Sequence, residues 1–184
     1  MERIARESYQ MSYAGLRLVT KGAKKKLATY FVKKFPMIDV WGNAETTARR
    51  FEEWHRERVE EISAVIDGYK SKKAYRTDAL AAKFLNTFLH QLMKFKKCRP
   101  LWPQLHLPLD GIVFCEIKAL ARSSAALADI AYLVDGSPYS LGDADYKSIQ
   151  DALLKYIDEL NRKKTLPYRL TSRIEFNFLL WARK

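Results

Sequence analysis

The run from Ala79 to Leu92 constrains the fold of this chain more than any other stretch. Leu80, Ala81, Phe84, Leu85, Phe88, Leu89 and Leu92 recur three and four residues apart. That spacing lays them along one wide stripe of an α-helix and along no face of a strand. A stripe so broad has to be covered on more than one side, so this helix is expected to be central, with Thr77 as its cap. A second stripe, Phe51, Trp54, Arg58, Ile62, Val65 and Tyr69, has Gly68 placed for its C-terminal cap. No segment alternates with period two over a strand's length, and there is no internal repeat or low-complexity linker. The expected fold is therefore all-α, one domain over residues 1–184 built from about six to eight helices.

The remaining elements obey the same rule. Residues 3–35 read as helical with breaks at Gly15 and Gly22, and Phe35-Pro36 ends that segment. Trp41-Gly42-Asn43 reads as a turn, with Asn43 capping the next helix. After Asp110 come a helix to Arg122, another from Ser124 to Val134, and a loop over Gly136-Ser137-Pro138-Tyr139. A helix over 143–163 carries Tyr146, Ile149, Leu153, Tyr156 and Leu160 on one side. Thr171 is expected to cap a last short helix bearing Ile174, Phe178, Leu179 and Trp181.

Charge narrows the partner. The net charge is +12, and its distribution is uneven. From Lys70 to Arg99 there are nine basic residues against one acid, Asp78, whereas from Asn43 to Gly68 seven acids face four arginines. Segregation of this kind favours a directed basic face for a polyanion. No apolar run is long enough to span a bilayer, and the N-terminus lacks a signal-peptide core, so no membrane role and a cytoplasmic location are expected. Cys98 and Cys115 make neither a disulfide framework nor a zinc knuckle. A monomer is expected.

The common catalytic sets are missing: there is no GxxxxGK[ST], GxGxxG, HExxH or GxSxG. The three histidines, His55, His90 and His106, form no ligand pattern, so no metal and no cofactor are expected, and His55 reads as a structural residue inside a helix. What remains is one carboxylate. In Leu105-His106-Leu107-Pro108-Leu109-Asp110-Gly111-Ile112-Val113, an apolar, proline-bearing approach ends in Asp110. Ile112, Val113, Ile117 and Leu120 then recur at helical spacing, so Asp110 is an N-cap at the positive end of a helix. A plain cap is the commoner use of such a residue.

The run Leu107-Pro108-Leu109-Asp110-Gly111-Ile112-Val113 resembles the segment that carries the catalytic aspartate in helix-hairpin-helix DNA glycosylases, and Ala79–Thr87 resembles the second helix of their hairpin. The resemblance covers residues 70–122 and is closest to divergent phage and bacterial offshoots, such as the putrescinyl/glutamyl thymine pyrophosphorylase group. It implies an enzyme that breaks the N-glycosidic bond of a flipped, modified base in double-stranded DNA, in phage defence or phage DNA modification. Asp110, in a segment spanning 105–122, would steady the oxocarbenium-like sugar and activate water. The family's glycine-rich hairpin turn is absent. A basic DNA-facing segment over 70–99 would replace it, with Lys70, Lys72, Lys73, Arg76, Thr77, Lys94, Lys96, Lys97 and Arg99 on the phosphates. Lys83 is the nearest match to the Schiff-base lysine of bifunctional members but sits far along its helix, which favours a monofunctional enzyme. Trp41, Tyr75, Trp102 and Tyr139 are the pocket or wedge candidates that base flipping requires. The alternatives are a non-enzymatic basic helical protein that binds nucleic acid, with Asp110 only a cap, and a phage or host protein-interaction module.

Overall fold

The structure, a computed structural model, describes residues 2–11, 20–67, 75–164 and 166–176. Among these, every regular element is helical. The α-helices are α1 (Glu2–Met11), α2 (Lys21–Thr29), α3 (Met37–Trp41), α4 (Ala44–Arg49), α5 (Phe51–Ile66), α6 (Thr77–Leu92), α7 (Gly111–Leu120), α8 (Ala125–Ala128) and α9 (Asp143–Lys163). α2 runs on into one π-type turn at Tyr30–Lys34, and 3₁₀ turns occupy Lys96–Gln104, Ala131–Val134, Pro138–Ser140 and Arg173–Glu175. Nine α-helices exceed the six to eight expected because α3, α4 and α8 have only 5, 6 and 4 residues. Elements under two turns long leave no readable periodicity.

α6 is central, as its stripe requires. All seven of its stripe residues are buried, together with Ala82 and Asn86. α5, α1 and α9 pack around it. Phe31 and Phe35, from the end of the α2 segment, reach Phe88 with ring centroids 4.5 and 4.9 Å away. Buried apolar residues from Ala5 to Phe176 join in one core. Cys98 is inside it, where burial pushes its thiol up to about 11, and Cys115 is exposed.

Several local expectations need correction. Thr77 is the first residue of α6 rather than its cap. The Arg76 amide donates to Tyr139 O, which holds Arg76 extended in the cap position, and Asp78 takes the Ala79 amide. Gly22 lies inside α2, which starts at Lys21 under a Thr20 cap. Asn43 precedes α4 without a capping bond from its side chain. The helix expected over 124–134 splits: Ser124 caps α8 through the Leu127 amide, then Ile130 leaves helical geometry and a 3₁₀ turn follows. The last cap is Ser172, not Thr171, and the Glu175 carboxylate closes a capping box with it. Gly15, Gly68, Tyr69, Phe178, Leu179 and Trp181 lie outside the described residues.

The stretch 105–109 has no helical structure and runs through the core, burying Leu105, His106, Leu107 and Leu109. A chain that crosses a core outside regular structure must find partners for its backbone polar groups. Gln150 of α9 supplies them: its Oε1 accepts from Leu107 N at 3.0 Å and its Nε2 donates to Leu107 O at 2.9 Å. The buried Arg173 side chain donates to Gln104 O and Gln150 O. These bonds deliver the chain to Asp110.

Candidate functional site

Asp110 caps α7. Its Oδ1 accepts from Ile112 N and Val113 N at 3.0 Å each. The corner is open: a Cβ on Gly111 would meet nothing within 4 Å, and Ile112 is 60% exposed. α8 and the Ala131–Val134 turn pack against α7. Lys118 of α7 pairs with Asp135, just past that turn, at 3.0 Å.

Among the described residues, the basic side chains of the 70–99 segment stand at both ends of α6. Lys70, Lys72 and Lys73 lie outside the described residues. Arg76 and Lys83 stand in the first half of α6, while Lys94, Lys96, Lys97 and Arg99 come after its far end. A 16-residue helix puts roughly 24 Å between its ends. Arg76 is committed to Asp78 at 2.6 Å, with Asp143 and Asp145 also close enough to act on it. Lys83 Nζ donates to Tyr139 Oη at 2.6 Å and lies 5.0 Å from the centre of that ring. Tyr75 packs on Tyr139 with centroids 5.0 Å apart. Trp102 lies beside His90, and Trp41 belongs to another cluster.

Exposed cations adjoin that cluster, as they also do the 21–34 segment. The Lys96–Gln104 turn packs on α3 and α4. The packing brings Arg49 and Arg50, at the end of α4, to the element carrying Lys96, Lys97 and Arg99, and all five side chains are exposed. None of the five pairs with a carboxylate among the described residues. Trp41, on α3, lies edge-to-face with Phe95 at 5.6 Å, with Lys97 Nζ 5.5 Å from its ring centre. Lys94 Nζ stands 5.0 Å from the Phe95 ring. The acids on these elements are Asp39, whose Oδ2 accepts from Trp54 Nε1, and the exposed Glu45.

A second assembly joins α5, α6, α9 and the 105–109 stretch. His55 and His106 lie with ring centres 4.4 Å apart, so the histidines that form no pattern in sequence are neighbours in space. His106 Nε2 is 3.0 Å from Glu52 Oε1 and its Nδ1 is 3.2 Å from Tyr146 Oη. Asn86 Nδ2 donates to Tyr146 Oη at 2.6 Å, and Asn86 Oδ1 is 2.8 Å from His55 Nε2. One assignment of protons satisfies every partner. The hydrogen bond from His106 holds the Glu52 carboxylate down at about 2, so Glu52 is ionised and can only accept. His106 then donates from Nε2 and accepts the Tyr146 hydroxyl at Nδ1, while His55 donates to Asn86. The donations all run toward Glu52.

Burial drives His55 down to about 3 and lowers His106 also, so both rings are neutral at pH 7. Burial raises the Tyr146 hydroxyl. His55, His106 and Tyr146 floor a groove of about 840 Å³. Its walls carry Glu52, Glu53, Glu60, Asp67, Asp78 and Asp143 against Arg56 and Lys147, an acidic lining that repels phosphate. Among the described residues no three His, Cys, Asp or Glu side chains converge as a metal would require, and no helix is long and apolar enough to cross a membrane. Sequence reasoning missed this assembly because its members come from separate elements and none has a local signature. Comparison of the chain with protein-family models, with curated proteins and with solved structures found no match.

Proposed function

We propose that the protein binds nucleic acid through the face formed by α3, α4 and the Lys96–Gln104 turn. The observation that carries this reading is the packing of α4, which ends at Arg49 and Arg50, on the turn that carries Lys96, Lys97 and Arg99, with Lys97 over the Trp41 ring and no carboxylate paired to any of the five among the described residues. Unneutralised cations at that density raise the energy of the folded chain through mutual repulsion, and a polyanion relieves it. Aromatic faces among the cations suit a polymer of phosphates and bases better than an acidic protein surface. The test is fluorescence anisotropy with a labelled oligonucleotide of mixed sequence at low salt. Reversing three charges in Lys96→Glu, Lys97→Glu and Arg99→Glu together is expected to abolish binding while leaving the circular dichroism spectrum intact. Binding unchanged in that variant would refute the assignment of the face.

A second reading, glycosidic bond cleavage at Asp110, is favoured by the openness of that corner, with Gly111 unobstructed and Ile112 exposed. Under it, Asp110→Asn retains DNA affinity and loses base release from modified duplexes, detected by alkali cleavage and mass analysis. Release that persists in Asp110→Asn would end the reading.

A further inference from the structure

We infer that the basic face recognises unpaired bases, so that its partner is a single strand of DNA or RNA; the inference rests on the nucleic-acid reading above. The face is not a plain rail of cations. Trp41 and Phe95 are half-buried and packed on each other beside Lys97 and Lys94, an apolar island one helical turn from Ile38, which is 52% exposed. Ile38 also borders a recess of about 600 Å³ lined by Lys33, Phe35 and Pro36 and, from α1, by Glu2. A duplex turns its phosphates outward and hides the faces of its bases, so such an island would face charged backbone and gain nothing from it. A single strand offers both groups at once: phosphates for the lysines and flat apolar bases for the tryptophan, a pairing that tolerates any sequence.

The island is held ready for this contact. α3 is short, and Asp39 anchors it twice: its carboxylate accepts from Trp54 Nε1 at 2.9 Å, and its carbonyl accepts from Thr47 Oγ1 at 2.8 Å. Gly42 lets the chain turn back tightly behind Ile38, since a Cβ there would come within 2.8 Å of Ile38 Cδ1. Phe95 packs edge-to-face on the Trp41 ring, and Lys97, an exposed side chain, lies over it. A base stacked on Trp41 displaces the Lys97 ammonium from the ring, and the ammonium then meets the phosphate attached to that base.

The experiment compares single strands with duplexes of the same length and mixed composition, as DNA and as RNA, using wild type, Trp41→Ala and Trp41→Phe. The single strand is expected to bind at least about tenfold more tightly than its duplex, and Trp41→Ala to lose roughly tenfold on the single strand alone. Trp41→Phe, which keeps an aromatic face, recovers most of that loss and separates stacking from damage to the fold. Duplex binding equal to or tighter than single-strand binding, or a Trp41→Ala variant unchanged on both, overturns this inference while the nucleic-acid reading stands. No binding of either polymer at low salt overturns the reading itself.

Discussion

Glu52 and His55 stand three residues apart at the start of α5, and both have their protonation displaced toward acid. His55 is driven down to about 3 from 6.5 by burial, and His106 is lowered too, so in this range the folded protein binds fewer protons than the unfolded chain. Stability is therefore full above about pH 6.5 and falls as pH drops toward 3, by up to about 1.4 kcal/mol per pH unit for His55, with His106 acting in the same direction. Glu52, lowered from 4.5 to about 2, adds a further loss as pH falls through that lower window. Urea unfolding at pH 7, 6 and 5 is expected to give a steady decline, and His55→Gln to flatten it. A slope unchanged by that substitution would mean that His55 titrates alike in both states. Asp110 offers a second test at this scale. Removing its cap in Asp110→Ala is expected to cost about 1 kcal/mol, roughly 2–4 °C in Tm for a chain of this size, and Asp110→Asn much less because asparagine also caps. Equal losses in the two variants would contradict the capping role.

At the scale of elements, the contact between α9 and the 105–109 stretch holds the non-helical chain in the core. Gln150→Leu strips both partners from the Leu107 backbone and leaves a buried N–H and C=O unsatisfied. The expected cost is about 2–4 kcal/mol, read as a Tm lowered by roughly 5–15 °C, and a loss within experimental error would mean that water or a shifted chain replaces the amide. Gln150 also shows why some elements were legible in the sequence and others not. The stripe of α6 is written at helical spacing and is wholly buried, the stripes of α5 and α9 are buried at Phe51, Trp54, Ile62, Ile149, Leu153 and Tyr156, and the Asp110 cap is signalled by Pro108 and the aliphatic run after it. Gln150 and Asn86 look like ordinary polar positions, because their partners come from remote segments. The 70–99 run reads as one basic patch along the string, and a 16-residue helix separates its described cations into two groups. Arg49 and Arg50 lie in the stretch where acids dominate, yet α4 folds them against Lys96, Lys97 and Arg99.

On the scale of the whole molecule, a chain of net charge +12 divides its surface between an acidic groove over the histidine assembly and a cationic face around Trp41. The central claim, that this face engages phosphates, is tested most directly by the dependence of affinity on salt. Log affinity for an oligonucleotide should fall linearly with log salt concentration. In the Lys96→Ala, Lys97→Ala, Arg99→Ala triple variant the slope should be shallower by about 2, as expected when three phosphates of a single strand are no longer neutralised. A wild-type affinity indifferent to salt, or a triple variant with the wild-type slope, would contradict the account.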